Sequence, residues 1–527
     1  MMNIVNPILP GFHPDPCILR HQDFYYIATS TFEWFPGIAL YQSRDLVHWT
    51  LIGHVLDRSS QLDMRGLGSS EGVWAPDLTY CRDDGFFYVS YTVMHNWSYD
   101  GPRDMHNYVV RSTDIRGPWS DPVKVDSGGI DPALFFDDDG RSYWLRNQWE
   151  YRAGLNHFAG IVMQEFDRSA LRVVGEKKTI FLGTSLGKVE GPHIYKREGY
   201  YYLLTAEGGT FFDHAVTLAR SRELWGPYEV HPDNPVMTSR FTAGHPLQKS
   251  GHASLVEAHD GSWYLSYLCG RPLPNRGRCI LGREAALERV VWGEDGWLYR
   301  QETGKAPSVV VKAPQGEVWP WPVPSPKDDF DSPTLRPIYQ FLRSAIDHRY
   351  CNVSERVGYL RLRGRESPTS RMEQTLVARR QTSFCYDAAT CLEFDPQTSN
   401  HLAGLITFYD HQHFFYLVKT YIDGPCLNIY CADRGRWIEP IMAEKIEEGP
   451  IHLRAQMRYD KLRFSYSMDG VRWTPIGTWM DSSILSDDYL SPVHFTGAFI
   501  GLCANDLDGT ETVADFDYFS YEEILDV

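Results

Sequence analysis

Three carboxylates and one histidine stand beside proline or glycine at widely separated points of the chain. Asp15 lies in His-Pro-Asp-Pro, Asp131 in Ile-Asp-Pro and Glu190 in Glu-Gly-Pro-His. His252 follows Ser-Gly in the same way. Proline and glycine at such positions break helices and favour turns, so each side chain is held at the entry to the strand-like sequence that follows it.

Carboxylates of this kind perform acid–base chemistry when the fold brings them together. One ionised carboxylate can activate a water molecule, while a second, kept protonated, donates its proton to a leaving oxygen. A third carboxylate beside the acid raises the pKa of that acid, because like charges oppose ionisation. The set suits hydrolysis of a glycosidic bond. Phosphoryl transfer matches poorly, because the chain has no Gly-x-x-x-x-Gly-Lys-[Ser/Thr] loop.

These residues belong to a repeated unit. Five segments share a polar or aromatic residue near proline or a small residue, then an apolar residue, a turn and an aromatic strand. The apolar position falls at residues 18, 78, 134, 194 and 255, with spacings of 56 to 61 residues. A strand-rich unit of this length, repeated five times, predicts a five-bladed β-propeller with four-stranded blades.

The innermost strand of each propeller blade runs beside the central axis, so the residues that open the repeats converge on one cavity. Asp15, Asp131 and His252 share one column of the repeat. Trp74 and Glu190 sit one position earlier. The repeat therefore predicts a pocket in which three carboxylates face an aromatic wall. The alternative for each acid taken alone is an ordinary turn former beside proline.

Composition narrows the range of ligands. Aromatic residues make up 14% of the 527 residues, which suits strands and surfaces that stack on rings. The formal net charge of -17 argues against nucleic acid and acidic membranes as partners, because no basic stripe exists to neutralise phosphates. A neutral ligand fits this charge better.

The N-terminal residues and the spacing of the cysteines indicate the cellular compartment. The first residues lack the apolar core of a signal peptide, and no stretch reaches the roughly 18 apolar residues of a membrane span. The ten cysteines are scattered and form no Cys-x-x-Cys pair. We therefore expect a cytoplasmic protein with reduced, mostly buried thiols.

The sequence changes character after a proline-rich tract. Residues 1–312 hold the repeats, and residues 313–327 indicate a semi-rigid linker. Residues 328–527 contain short strands and frequent turns, which predict a β-sandwich of concanavalin or jelly-roll type and an all-β fold class. The acids that bracket this region are either surface acids or ligands of a structural Ca²⁺, namely Asp329, Asp331, Asp515 and Asp517.

Several motifs together carry a family resemblance. They are Asn6–Pro16 (NPILPGFHPDP), Trp74–Asp77 (WAPD), Ile130–Pro132 (IDP), Glu190–His193 (EGPH), Ser250–His252 (SGH) and Leu281–Glu284 (LGRE). As an ensemble they resemble the signature of family 43 glycoside hydrolases. The resemblance covers both regions, and the long C-terminal sandwich is similar to that of the β-xylosidase branch.

The resemblance implies an inverting exo-hydrolase that releases xylose from the non-reducing end of β-1,4-xylo-oligosaccharides, with α-L-arabinofuranosides as further substrates. It implies that no cofactor or catalytic metal is required, and that the protein is a homo-oligomer, a dimer or a tetramer. Two alternatives stay open. One is an α-L-arabinofuranosidase or β-galactosidase as the main activity, and the other is a propeller that binds carbohydrate without turnover.

The same resemblance implies a role for each matching residue. Asp15 is expected to be the general base and Glu190 the general acid. Asp131 is expected to raise the pKa of Glu190 and to orient it. The residues expected to contact the sugar are Phe32, Trp74, Trp144, His252, Arg283 and, from the C-terminal domain, Phe495. Three of them have an alternative: the blade core for Trp144, an ion pair with a blade carboxylate for Arg283, and a satisfied interior position for His252.

Overall fold

The computed structural model of the chain describes residues 2–97, 101–489 and 494–524, with the side chains of 439–443 left out. The chain forms two compact units. The first comprises Met1–Leu62, Ser70–Arg271 and Arg283–Trp321, and the second comprises Asp63–Ser69, Pro272–Gly282 and Pro322–Val527. The unit boundary thus falls inside the linker predicted at 313–327. Two short segments within the predicted first domain belong to the second unit.

Five antiparallel sheets make up most of the first unit, and we call them blades 1 to 5. Blade 1 contains the strands Cys17–His21, Phe24–Thr29, Gly37–Ser43 and Thr50–Leu56. Blade 2 contains Gly72–Tyr80, Phe87–Met94, Met105–Ser112 and Val123–Ser127. Blade 3 contains Ala133–Phe136, Ser142–Trp149, Phe158–Asp167 and Arg172–Phe181. Blade 4 contains Glu190–Arg197, Tyr200–Glu207, Ala215–Ser221, Glu229–Val230 and Met237–Thr238. Blade 5 contains Gln248–Glu257, Trp263–Gly270, Glu284–Trp292 and Leu298–Arg300. A further short strand is Trp34–Phe35.

The arrangement of these sheets confirms the predicted five-bladed propeller. The first strands of the blades contact one another in a ring around the axis. The second strands are mostly buried because neighbouring blades cover both of their faces, and in Phe87–Met94 every residue is buried. Apolar clusters join adjacent blades, as where Leu134 of blade 3 packs with Tyr88 of blade 2.

The two ends of the first unit are held together by backbone pairing. Asn3–Val5 pairs antiparallel with Val310–Lys312. Asn6 adds side-chain hydrogen bonds, donating to the carbonyl oxygens of Leu287 and Ser308 at 2.7 and 2.8 Å. The Asn-Pro segment at the start of the sequence motif thus anchors the N-terminal end to blade 5 and to the strand that closes the unit.

The second unit contains two antiparallel sheets, which confirms the predicted β-sandwich. One contains Thr375–Arg380, Phe499–Asp506, His401–Asp410, His413–Tyr421, Pro425–Asp433 and Arg436–Lys445. The other contains Lys327–Asp328, Cys351–Asn352, Leu360–Arg363, Val513–Glu523, Cys385–Phe394, Ile451–Arg458, Lys461–Ser467 and Thr474–Asp481. Outside the sheets lie the strand Phe341–Leu342 and the 3₁₀ helices Ser482–Ile484 and Asp487–Tyr489.

Strand alternation decides which side chains fill the sandwich core. In Leu360–Arg363 the two leucines are buried and the two arginines are half-buried, the period of two expected for a strand with one face on the core. Ile451–Arg458 follows the same alternation at its start. A single apolar cluster joins residues of both sheets, among them Leu360, Leu405 and Leu453.

The four acids considered for a structural Ca²⁺ do not meet in a ligand set. Asp515 bonds to Arg356 at 2.9 Å and to Arg361 at 2.8 Å, and Asp329 pairs with Lys327 at 2.5 Å. Within the described residues, the one group of three ligand-type side chains with metal-binding spacing lies elsewhere, in the first unit. Asp515 and Asp329 thus take part in ion pairs, and a structural Ca²⁺ stays one of the two alternatives.

Two other expectations concern the whole chain. All ten cysteines are buried and none forms a disulfide, as predicted from their scattered spacing. Among the described residues, no helix is long and apolar enough to cross a membrane.

Candidate active site

Five backbone positions open the innermost strands in the same unusual conformation. Asp15, Ala75, Asp131, Gly191 and His252 have φ values of 53°, 42°, 59°, 57° and 47°. Each lies three residues before the apolar residue shared by the repeats. Left-handed φ is uncommon outside glycine, and it is tolerated where the surrounding structure enforces it, often at functional sites. The conformation repeats around the ring and turns the chain at the start of the first strand of every blade.

Asp15 is buried and surrounded by donors. Ser30 Oγ donates to Oδ2 at 2.6 Å, and Arg283 Nη1 donates to Oδ1 at 3.3 Å. His252 Nδ1 lies 3.5 Å from the same Oδ1. Ser30 Oγ in turn accepts the backbone N–H of Ala75 at 2.7 Å, so blade 2 orients the hydroxyl that orients Asp15.

Glu190 and Asp131 come from neighbouring blades and are both buried. Glu190 opens the first strand of blade 4. The backbone N–H of Gly191, the next residue, donates to Asp131 Oδ2 at 3.0 Å. On the other side of Glu190, the Asn147 side chain donates to the carbonyl oxygen of Val189 at 2.7 Å. Blade 3 thus holds the backbone on both sides of the predicted acid.

The environment drives the carboxylate pKa values in opposite directions. Burial by itself would raise the pKa of Asp15, but the charge of Arg283, the nearby His252 imidazole and the Ser30 hydrogen bond together hold it below its usual value. Burial, followed by the charges of Asp131 and Asp15, raises the pKa of Glu190 well above its usual value. Burial and the charge of Asp15 raise the pKa of Asp131 to about 7. Such opposed shifts separate a base from an acid.

Two of the predicted aromatic residues form a wall beside this cluster. The ring centroids of Phe32 and Trp74 lie 5.4 Å apart, and the Arg283 guanidinium lies 5.2 Å from the Phe32 centroid. Trp97, which the sequence analysis did not select, extends the wall with its centroid 5.2 Å from that of Trp74. Arg283 also donates to Thr210 Oγ1 at 3.0 Å. The site therefore combines a cation, carboxylates and flat apolar faces, the inventory of a sugar-binding pocket.

The assignment of Trp144 to the pocket wall is wrong. Its indole is 2% exposed and stacks on Phe166, with ring centroids 5.8 Å apart, in the apolar cluster between blades 2 and 3. Trp144 lies in the second strand of blade 3, where both sheet faces are covered by neighbouring blades. Periodicity alone does not distinguish a covered strand from one that lines a cavity.

Histidines occupy the floor of the site. Burial lowers the pKa of His252 to about 4 despite the opposing effect of Asp15, so the imidazole is neutral at pH 7. His214 is fully buried, its Nδ1 lies 3.1 Å from the Lys249 carbonyl oxygen, and burial lowers its pKa to about 3. A Cβ at Gly251 would lie 2.4 Å from the His214 ring, which explains the glycine of the Ser-Gly-His motif.

The structure also locates residues that sequence reasoning missed. Ser30, Thr210 and His214 carry no motif signal, because ordinary strand and loop sequence surrounds them. His214 Nε2 has no hydrogen-bond partner within the described part of the chain. Phe495, predicted to contribute an aromatic from the C-terminal domain, belongs to the second unit and is buried. Its contribution to the pocket stays a prediction.

Comparison with known proteins places this geometry in context. The model of glycosyl hydrolases family 43 matches residues 4–298, and the model of the beta-xylosidase C-terminal concanavalin A-like domain matches residues 327–522. A xylan 1,3-beta-xylosidase of Vibrio sp. is 44% identical over 541 residues, covering 99% of both chains. A xylosidase/arabinosidase of Humicola insolens is 44% identical over 538 residues, covering 99% of this chain and 98% of its own.

A solved structure is similar over both units. It is the xylan beta-1,4-xylosidase from Bacillus halodurans C-125, with 46% identity and a TM-score of 0.97. The match covers 99% of this chain and 100% of that chain. The fold is therefore shared along nearly the whole length of both chains.

Proposed function

Because the chain belongs to family 43 of the glycosyl hydrolases, we propose that it is an inverting exo-β-xylosidase that releases xylose from the non-reducing end of β-linked xylo-oligosaccharides. The observation that carries the proposal is the cluster of Asp15, Asp131 and Glu190, delivered by three blades to one buried site. The opposed pKa shifts favour the ionised form of Asp15 and the protonated form of Glu190.

In this proposal Asp15 is the general base. Its low pKa keeps it ionised, and the Ser30 and Arg283 hydrogen bonds fix its orientation toward an attacking water. A base with a low pKa is a weak proton acceptor, so the reaction depends on proton donation to the leaving oxygen as well. Direct attack by water on the anomeric carbon gives a product of inverted configuration.

Glu190 is the general acid that protonates the leaving oxygen. Asp131 raises its pKa electrostatically and, through the Gly191 N–H, holds the backbone that carries it. Arg283, Phe32 and Trp74 bind the sugar, with the cation on hydroxyls and the rings against the apolar face. His252 is neutral and half-buried at the floor, where its Nδ1 faces Asp15.

The relatives' names support xylose as the sugar and differ in the linkage. The Vibrio relative is named for 1,3-linked xylan and the Bacillus halodurans structure for 1,4-linked xylan. We propose β-1,4 linkages as the substrate of this chain, since the structurally similar protein bears that name at 46% identity. Parallel assays on 1,4- and 1,3-xylobiose compare the two directly.

A proton-NMR time course on 1,4-xylobiose tests the reaction. We expect the α-anomer of xylose to appear first and to mutarotate later. Initial formation of the β-anomer would contradict the single-displacement role of Asp15. Absence of turnover in the wild type on both xylobioses and on nitrophenyl glycosides would instead favour a carbohydrate-binding propeller.

A second activity has specific support. The Humicola insolens relative is named as both a xylosidase and an arabinosidase, at 44% identity. We therefore propose α-L-arabinofuranosides as additional substrates of the same carboxylates. A nitrophenyl glycoside panel that includes β-D-xyloside, α-L-arabinofuranoside and β-D-galactoside ranks the activities, and all of them should disappear together in Asp15→Asn.

We further propose that the protein acts in the cytoplasm as a homo-oligomer, a dimer or a tetramer. Ten buried cysteines without a disulfide suit a reducing compartment. Light scattering coupled to size-exclusion chromatography measures the molar mass in solution, and a monomer of 60.6 kDa would contradict the oligomer.

A further inference from the structure

A second group of chemically able side chains lies two residues beyond the active-site column. Cys17 follows Asp15, Asp77 follows Ala75 and His193 follows Gly191, each by two positions in the first strand of its blade. The three residues therefore hold the same position of the repeat. Their side chains form a second layer around the axis, contributed by blades 1, 2 and 4.

The ligand atoms of this layer are close together. Cys17 Sγ lies 3.6 Å from Asp77 Oδ1, and His193 Nδ1 lies 3.4 Å from the same oxygen. All three ligand atoms fall within 4.8 Å of one another. In a tetrahedral zinc site, bond lengths of about 2.3 Å to sulfur and about 2.0–2.1 Å to nitrogen or oxygen place ligand atoms about 3.3–3.6 Å apart.

The ligands are also oriented from outside the cluster. Asp77 Oδ2 accepts the backbone N–H of Leu134 at 2.9 Å, which leaves Oδ1 directed at the thiol and the imidazole. Cys17 Sγ accepts the backbone N–H of Leu78 at 3.2 Å, a bond that fixes the position of the sulfur. Such outer partners are the usual companions of metal ligands.

Burial and access suit a site with three protein ligands whose fourth position is open to solvent. The Asp77 and His193 side chains are 7% and 12% exposed, so solvent still reaches the imidazole. Cys17 is 5% exposed. The alternative to a metal site is a hydrogen-bonded cluster without metal, in which the Cys17 thiol donates to the Asp77 carboxylate.

We propose that Cys17, Asp77 and His193 bind one borderline divalent cation, with Zn²⁺ as the preferred ion. Thiolate and imidazole donors favour such ions over Ca²⁺ and Mg²⁺, which prefer oxygen ligands. On binding, the Cys17 S–H bond breaks, the proton passes to solvent and the sulfur donates to the metal, with no change in oxidation state. The ion joins three blades at the axis, one layer below the carboxylates of the active site.

Cobalt substitution tests the proposal with a readout independent of catalysis. The full chain is stripped with a chelator, freed of it, and titrated with Co²⁺. We expect saturation at one equivalent, visible d–d bands of a tetrahedral ion and a near-ultraviolet band of thiolate-to-cobalt charge transfer. Added Zn²⁺ should displace Co²⁺ and remove these bands.

Two variants locate the signal. Cys17→Ser should abolish the charge-transfer band, whereas Cys81→Ser, which alters a buried thiol of blade 2 outside the cluster, should retain it. If Cys17→Ser does not fold, His193→Asn serves instead and should lower the cobalt affinity at least tenfold. Zn²⁺ should also raise the melting temperature of the wild type and not that of Cys17→Ser, because a ligand of the native state stabilises it.

Several outcomes would overturn the proposal. They are a wild type that gives no charge-transfer band, a band that survives in both Cys17→Ser and His193→Asn, and a stoichiometry that changes equally in Cys81→Ser. Any of them would leave Cys17, Asp77 and His193 as a hydrogen-bonded packing cluster.

Discussion

The backbone N–H of Gly191 donates to Oδ2 of Asp131 over 3.0 Å. Since Gly191 directly follows Glu190, this bond fastens a carboxylate of blade 3 beside the predicted acid of blade 4. The absence of a side chain at Gly191 also leaves room for His252 of blade 5, because a Cβ on Gly191 would lie 3.0 Å from the His252 ring. The position and the pKa of Glu190 therefore both depend on Asp131. A substitution of Asp131 in blade 3 should change the titration of Glu190 in blade 4.

Removal of the predicted acid should separate substrates by leaving group. Glu190→Ala should reduce kcat/KM on xylobiose by about 10²–10⁴-fold, the range that general acid catalysis supplies. Aryl xylosides with good leaving groups need less protonation and should lose much less. Steady-state kinetics on both substrates measure the difference, with Glu198→Ala, an exposed glutamate in the same blade, as the control. Equal losses on the two substrates would refute the acid role.

The charge of Asp131 should control the alkaline limb of the pH profile. Glu190 must be protonated to act, and burial followed by Asp131 raises its pKa. Asp131→Asn removes the negative charge, so the pKa of Glu190 should fall and activity should be lost at a lower pH, by about 1 unit or more. The wild-type limb reports the coupled pair, since the pKa of Asp131 is itself about 7.

A pH series of kcat/KM measures this shift. Asp138→Asn is a matched control, because it removes the same charge from an exposed hairpin of blade 3. An unchanged alkaline limb in Asp131→Asn, or an equal shift in both variants, would contradict the electrostatic role.

Ser30 should control the opposite limb. Its hydroxyl donates to Asp15 at 2.6 Å and favours the ionised form. Ser30→Ala removes this donor, so the pKa of Asp15 should rise and activity should be lost at a higher pH on the acidic side. Ser43→Ala, a buried serine of the same blade that bonds to Asp45, should leave the acidic limb in place. The same pH series checks both, and a Ser30→Ala limb at the wild-type position would argue against Ser30 as an orienting group.

Two tryptophans should respond in opposite ways. Trp144→Ala should cost about 3–5 kcal/mol of folding stability, because it empties a packed site in the blade core. KM of the remaining folded enzyme should not change. Trp74→Ala should raise KM for xylobiose, since its ring lies beside Phe32 in the proposed wall. Chemical denaturation and Michaelis kinetics on both variants make the comparison, and a raised KM in Trp144→Ala would restore it to the pocket.

A methyl group at Gly251 should disturb the floor of the site. Its Cβ would lie 2.4 Å from the ring of His214, which is fully buried. Gly251→Ala should destabilise the protein by about 1–3 kcal/mol, as overpacking does. In the control Gly316→Ala, the new Cβ meets mainly the tip of the His259 ring at the surface. Equal melting temperatures for Gly251→Ala and the wild type would show that the floor can relax.

Some of the site was accessible to sequence reasoning because its signals are local. A residue beside proline or glycine at the start of each repeat forms a short motif that can be recognised in the sequence. The regular spacing of the shared apolar residues aligns these motifs with one another. Asp15, Asp131 and Glu190 were selected in this way, and the structure gathers them in one buried cluster. The wall residues Phe32 and Trp74 followed from the family resemblance.

Other residues depended on contacts between distant parts of the chain. Ser30 acts on Asp15 across a hairpin, and Arg283 reaches Asp15 from 268 positions away. His214 carries no motif, and its importance arises only from its packing against Gly251. The prediction that Trp144 lines the pocket is wrong, because the sequence of a strand does not show whether an aromatic side chain faces a cavity or a neighbouring blade. In the structure it faces a neighbouring blade.

By itself, the amino-acid sequence determined the repeat, the all-β class and the set of carboxylates, since these depend on local turn chemistry and on spacing along the chain. Only the tertiary structure decided which donors surround Asp15, which aromatic rings face the site, and that Cys17, Asp77 and His193 meet. The physical reason is that ionisation and ligand binding depend on distances and burial. Closure of the ring sets both, by bringing together side chains that no sequence window contains.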